Sequence, residues 1–272
     1  MIRIQFCWIR WLIVWFILFL SAIISRYVLT FEFLPSGKKL LLGDYLFSTL
    51  SSPFVIIFII PFTYCYLVSD LYIKDTEGEY ITLVMARLSN RTQYVLYKFF
   101  YIISSSLLFF FSFVILVVLT GLLFRLPWKG PYYFQVIHSK EVVSWMELTQ
   151  LLFIQANLIL LLLVSLGLFM LALSLLFKHV VAGYAGVVAL ILQSHSSIFD
   201  NHSGLIYTPL AQAILALHAP YYFYVLPMEH NQASVEIINN FTPIYSTFYF
   251  LVVIAGLFAL CLVRIRTMNM GE

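Results

Sequence analysis

The sequence predicts an all-α integral membrane protein with about six transmembrane helices and both termini in the cytoplasm. Three observations predict it. Of the 272 residues, 62% are hydrophobic and only 10% charged, whereas a soluble domain is roughly half apolar and a quarter charged. Left in water, such a surface would expose large apolar patches, so lipid is the solvent for much of it. The apolar residues also cluster into runs of about twenty, the length a helix needs to cross the hydrocarbon core. Finally, Lys and Arg are distributed unevenly between the segments that join these runs.

The runs place spans near 11–29, 53–73, 99–124, 148–177, 180–199 and 244–263. In the first, Arg3 and Arg10 precede Trp11 to Leu20 as in a secretory signal. The apolar run continues to Ile24 without a small-x-small cleavage site, so it reads as an uncleaved span. The second carries Pro61, where a kink is expected. The third and fourth exceed the membrane thickness and should tilt or project into water. The fifth is short and polar at its outer end, Gln193 to Ser197, and follows the fourth after only Lys178-His179. Between the fifth and sixth lies 200–243, too apolar for a free loop. Within it Leu205 to Leu217 is too short to span and fits a re-entrant helix that dips in and returns. Backbone broken at membrane depth must be covered by protein or face water, so a lid over the outer exit is expected here.

With the N-terminus inside, the cytoplasmic cations are Arg3, Arg10, Lys74, Arg87, Arg91, Lys98, Lys178, Arg264 and Arg266, nine of the fifteen in the chain. The segment 200–243 contains none. An even span count, N-in and C-in, satisfies the positive-inside rule. Trp8, Trp11, Trp128 and Trp145 fall near the expected interfaces, where amphipathic rings belong. No repeat, low-complexity tract or soluble domain interrupts the chain, which reads as one transmembrane domain over 1–272. A net charge of +3 gives no reason to expect a nucleic-acid partner. Cys7, Cys65 and Cys261 have no metal or disulfide spacing and read as buried or lipid-facing.

The cytoplasmic loop 74–98 carries the most information. Thr76 with Glu79 three residues later is a capping-box pattern. Ile81, Val84, Met85 and Leu88 then recur at i, i+3, i+4 and i+7, giving one apolar stripe. Ser89-Asn90 interrupts, and Asn90 with Gln93 repeats the cap at the entrance to span three. A short amphipathic helix, a turn and a long helix follow. Such a helix can lie on the membrane surface, serve as a plain connector, or dock in a groove on another protein.

The run from Asp75 to Lys98 resembles the segment before the third span in permeases of type-2 ATP-binding-cassette exporters. There an acidic residue and a glycine precede a short amphipathic coupling helix, followed by a basic and small-polar turn and a lysine near the next span. The matching positions are Glu77 and Gly78, the helix to Leu88, then Arg87, Ser89 and Arg91, and finally Lys98; the proline common in that turn is missing. Length, span count, orientation and the long segment between spans five and six extend the resemblance along the whole chain. It implies a permease that pairs with a second copy or homologue and docks on separate ATPase subunits. The docking residues would be Glu77, Gly78, Glu79, Ile81, Val84, Met85, Arg87, Leu88, Ser89 and Arg91. It also implies short re-entrant helices between spans five and six. ATP and Mg would be held by the partner, since no G-x-x-x-x-G-K-[ST] phosphate loop occurs here. The chain itself is then a transport subunit and not an enzyme, in a bacterial cytoplasmic membrane. Peptides, antibiotics, lipids and polysaccharides are all cargoes of look-alike permeases.

Polar residues at membrane depth face the protein interior or water. On span four, Glu147, Gln150, Ile154 and Asn157 share a face, with Gln155 nearby; on span two, Thr63, Tyr66 and Asp70 share another. These faces either line a cargo path or hydrogen-bond between helices at about 1 kcal/mol each. An intramembrane enzyme is a rival reading, because His195, His202, His218 and His230 crowd the outer side. H-E-x-x-H and G-x-S-x-G are both absent. A secondary transporter is the other rival, though no internal repeat supports it.

Overall fold

A computed structural model describes residues 8–30, 39–69, 91–128, 145–177, 179–199, 206–218 and 241–267. Among them all regular structure is helical. The helices are α1 (Trp8–Val28), α2 (Leu42–Ser51), α3 (Ile60–Val68), α4 (Arg91–Leu123), α5 (Trp145–Phe177), α6 (Val180–Phe199) and α7 (Pro243–Thr267). By length and composition α1, α4, α5, α6 and α7 can each cross a membrane. The segments Leu42–Ser51 and Val55–Val68, bent by 52°, make a sixth crossing if taken as one. The chain is therefore helical with several membrane-length helices. The expected docking residues Glu77 to Ser89 lie outside the described residues, as does Asp70; Arg91 opens α4.

The second crossing differs from the sequence expectation. Residues 42–51 read as outer loop, yet they form a helix of their own. The bend falls at Ser52 to Phe54, beside Pro53, and not at Pro61. Pro61 instead sits in the first turn of α3, directly behind a π-helical turn over Val55–Ile59. A proline ring removes one donor and crowds the preceding turn. The wider π turn ahead of Pro61 accommodates both without a sharp break.

Helix-end contacts fix how the helices alternate. At one end Arg10, near the start of α1, donates from Nη1 to the Tyr66 carbonyl at 3.2 Å and to Ser69 Oγ at 3.1 Å, at the end of α3. At the other, Tyr45 of α2 donates to the Ala22 carbonyl of α1 at 2.8 Å, and Arg26 lies 4.0 Å from the ring centroid of Phe124 just past α4. Phe99, early in α4, meets Phe258, late in α7, at 5.0 Å. Arg264 of α7 donates to the Leu175 and Leu176 carbonyls at the end of α5, each at 3.3 Å. Those carbonyls have no partner inside their own helix, and a cation there also suits the helix dipole. Successive crossings thus run in opposite directions. The first and last described residues stand at the same end of the bundle.

α5 is the central helix: 72% of its membrane-length stretch is buried, against 17% for α7. Tyr64 of α3 ties to α4 through Ser106 Oγ at 2.7 Å and the Ile102 carbonyl at 3.3 Å. Gly167 of α5 packs directly on this junction. A Cβ there would lie 2.6 Å from Ile102 Cγ2 and 3.1 Å from the Tyr64 hydroxyl. Ile102 is β-branched and cannot swing aside. Gly167→Ala is therefore expected to overpack the α3–α4–α5 junction at a cost of about 1–3 kcal/mol. A thermal-unfolding midpoint in detergent that matches the parent chain would count against this packing. Gly186 makes a similar approach to Leu173 and Phe169 between α5 and α6. By contrast Ala255, Gly256 and Ala259 face outward on α7.

Past its last turn α4 stops in a left-handed residue, Arg125, at φ 52°. Leu126 N donates to the Gly121 carbonyl at 3.0 Å and Arg125 N to Leu122 at 2.9 Å, the paired bonds of a Schellman stop. Pro127 then accepts from Leu42 N at 3.0 Å, and so the start of α2 is fastened to the end of α4.

Candidate functional site

The described residues contain one dense buried polar cluster, and it is built around a break in the backbone. Residues 206–218 lie between α5 and α7, with Leu210 to Leu215 fully enclosed by neighbouring side chains. The sequence predicts one short helix over Leu205 to Leu217. What forms instead is a pair of 3₁₀ turns, Ala211–Ala213 and Leu215–Leu217. Ile214 between them is extended, at φ −99° and ψ 93°, so no helical hydrogen bond passes through it.

Gln155 repairs that break. It is fully buried on α5, about 10 Å along the helix from Leu148 at 1.5 Å per residue. Its Nε2 donates to the Ala213 carbonyl at 2.8 Å, and its Oε1 accepts from Leu215 N at 3.0 Å. One amide therefore supplies the acceptor and the donor that flank Ile214. The second Nε2 proton goes to the Leu50 carbonyl at 3.2 Å, one of the last carbonyls of α2, which lack a partner within that helix. Gln155 joins α2, α5 and the broken segment at a single point. Buried backbone groups are almost always paired, and this is how these are.

A second set of contacts fastens the segment to α7. Gln212 donates from Nε2 to the Ile206 carbonyl. Its Oε1 lies 2.6 Å from Ser246 Oγ on α7. Ser246 Oγ also lies 2.6 Å from Nε2 of His218, whose Nδ1 meets the Ile214 carbonyl at 2.8 Å. The His218 ring stacks on Phe241 with centroids 4.1 Å apart and planes 17° from parallel. Tyr249 adds a bond to the Tyr207 carbonyl at 3.3 Å.

Of the residues named in the sequence analysis, Gln155 and His218 belong to this cluster and the other described ones do not. Thr63 is buried and bonds back to its own helix, to the Ile59 carbonyl at 2.6 Å. Tyr66 is half-buried under the Arg10 guanidinium, 5.1 Å from its ring centroid. Gln150 and Asn157 lie on an exposed face of α5 together with Phe153, which is 77% exposed. Glu147 is in the first turn of α5, its side chain outside the description. The histidines separate as well: His218 is buried and His195 is exposed beside Phe58, while His202 and His230 lie outside the described residues. Among the described residues no group of His, Cys, Asp and Glu could hold a metal ion, and Cys65 and Cys261 are buried free thiols.

Sequence reasoning noticed Gln155 only as a neighbour of the Gln150 face and passed over Gln212 and Ser246. A signal was present. Gln155 stands five residues from Gln150 and two from Asn157, which turns it to the other side of the helix. An amide isolated within an apolar run that faces inward needs buried partners. No protein-family model, curated protein or solved structure matches this chain.

Proposed function

We propose that this chain is the membrane-spanning subunit of an ATP-driven exporter of the type-2 ATP-binding-cassette kind. ATP hydrolysis takes place on separate ATPase subunits, which also hold the ATP and Mg. The chain lies in a bacterial cytoplasmic membrane with both termini inside and pairs with a second copy or a homologue. It couples the partner's ATP cycle to outward movement of a peptide, antibiotic, lipid or polysaccharide, and it carries out no chemistry of its own.

The observation that carries this reading is the broken segment 206–218, enclosed between α5 and α7 and stitched to both. It stands between the fifth and sixth crossings, where the resemblance over Asp75 to Lys98 implies short re-entrant elements. Irregular backbone at that depth needs protein cover, and the cluster around Gln155 and Ser246 supplies it. The same segment lies at the end of the bundle opposite Arg10, Lys98, Arg264 and Arg266, as a lid over the outer exit should under the positive-inside rule.

A second observation supports the paired arrangement. Gln150 and Asn157 carry their amides on an exposed face of α5, beside the exposed Phe153. Amides facing hydrocarbon are costly, and such residues normally face a partner or water. In a pair, this face of α5 meets the other copy or a water-filled path.

The test is the neighbouring reading frame and its product. An ATPase with a phosphate loop encoded beside this chain should co-purify with it from the membrane, and its hydrolysis should rise on assembly. An adjacent frame without such an ATPase, together with solute movement driven by an ion gradient alone, would favour a secondary transporter instead.

A further inference from the structure

The contacts that fasten residues 206–218 to α7 form a chain whose protons can be counted. It runs from the Ile214 carbonyl through His218 and Ser246 to Gln212 and ends on the Ile206 carbonyl. Both ends are carbonyls, which only accept. His218 must therefore hold a proton on Nδ1, and Gln212 must turn its Nε2 toward Ile206, leaving its Oε1 toward Ser246. Two contacts remain, both at Ser246 Oγ and both 2.6 Å long: one to His218 Nε2, one to Gln212 Oε1. A neutral imidazole leaves a single proton, that of the serine, for these two contacts. One of them is then a pair of facing lone pairs. An imidazolium supplies the missing proton: His218 donates to Ser246, and Ser246 donates to Gln212.

We propose that His218 is a proton-operated latch, whose protonation completes the hydrogen-bond chain and locks residues 206–218 onto α7.

Every member of the chain is enclosed: Gln212, His218 and Ser246 are all fully buried. A buried acceptor facing another acceptor has no water to turn to, so the missing proton is costly there. Phe241, stacked on the ring, presents its face to the charge. Burial acts in the opposite sense. It pulls the imidazole down, to about 4 even with the backbone contacts at Ile214 and Leu215 raising it, because the charged ring gives up its hydration. A ring that depended on burial alone would be neutral in the folded protein, and acid would loosen the segment. The proton count predicts the reverse. The two contacts at Ser246 decide between them, since a neutral ring satisfies only one.

Among the described residues, few other groups bear on the titration. From α7, Tyr245 and Tyr249 face the segment, and Tyr207 belongs to it. From α5 the facing polar group is Gln155, which does not titrate. The carboxylate of α2 is Asp44, in the first turn of that helix and six residues before the Leu50 carbonyl that Gln155 reaches. Among the described residues, no charged side chain touches His218.

The full chain in lipid nanodiscs provides the test, and no cargo is needed. Hydrogen exchange over 206–218, corrected for the intrinsic pH dependence of the chemistry, is measured at about pH 5.5 and pH 8, on either side of the ordinary histidine range. One completed hydrogen bond should slow exchange about tenfold at the lower pH. In Ser246→Ala the chain has no middle member, and this acid-side protection should vanish. Imidazole ¹⁵N spectra, with His218 assigned by His218→Gln, should show both ring nitrogens protonated at the lower pH and only Nδ1 at the higher. Equal protection at both pH values would overturn the latch. So would greater protection at pH 8, the same gain in Ser246→Ala, or a ring that keeps one protonation state throughout.

Discussion

Replacing Gln155 with leucine is expected to release residues 206–218 from the bundle. The substitution removes the partners of the Leu50 and Ala213 carbonyls and of Leu215 N. Each buried backbone group left unpaired costs about 1–3 kcal/mol. The added apolar side chain returns at most about 2 kcal/mol. The loss prevails by about 1–7 kcal/mol, because neither turn at Ile214 can make its own helical bond across the break. Hydrogen exchange over 206–218 should then rise about fivefold or more, while the rest of the bundle is spared. Gln155→Glu should act in the same direction, since a carboxylate keeps the contact to Leu215 N but faces two carbonyls without a donor. Gln150→Leu and Asn157→Leu, on the exposed face of the same helix, should leave this protection unchanged. If exchange in Gln155→Leu matched the parent, the break would have to be held by something other than this amide.

What the sequence could and could not reveal follows from the range of the forces involved. The membrane-length helices are legible because lipid imposes their length and composition locally, residue by residue. The bend in the second crossing was misplaced because two prolines compete there. Pro61 has the stronger local pattern, inside an apolar run, yet a π turn absorbs it; Pro53, at the edge of that run, marks the actual change of direction. That 206–218 packs among the helices follows from its composition, since Leu205 to Leu217 is too apolar for a loop and too short to span. Its internal form was not legible. Whether thirteen residues make one helix or two 3₁₀ turns depends on Gln155, more than fifty residues away, and no local pattern records that partner. Ser246 and Gln212 were hidden for the same reason. Each looks like an ordinary small or polar residue until the fold places one against the other. The resemblance over Asp75 to Lys98 concerns residues that are mostly outside those described, so its weight remains that of the sequence.

Charge reversal at the cytoplasmic loop separates the docking role proposed for that segment from the simpler alternatives. Glu77→Lys and Arg87→Glu flank the apolar stripe of Ile81, Val84, Met85 and Leu88 without altering it. If the helix only lies on the membrane, its apolar face sets the affinity and acidic-to-basic exchange should be tolerated or even favoured beside anionic lipid. If it sits in a groove of an ATPase, each reversed charge meets a surface arranged for the opposite sign. Truncating one partner of a close interfacial charge pair costs about 2–5 kcal/mol, and reversal adds repulsion to that loss. Stimulation of the partner ATPase should therefore fall about tenfold or more in each variant, with cargo export falling alongside. The amount of chain recovered in the membrane and its thermal midpoint should not change, because both positions lie in the hydrophilic stretch between the second and third apolar runs of the sequence. Undiminished stimulation in both variants would remove the docking role. A loss accompanied by poor insertion would trace the defect to folding, and the conservative pair Glu77→Gln and Arg87→Lys would then distinguish charge from shape at the same positions.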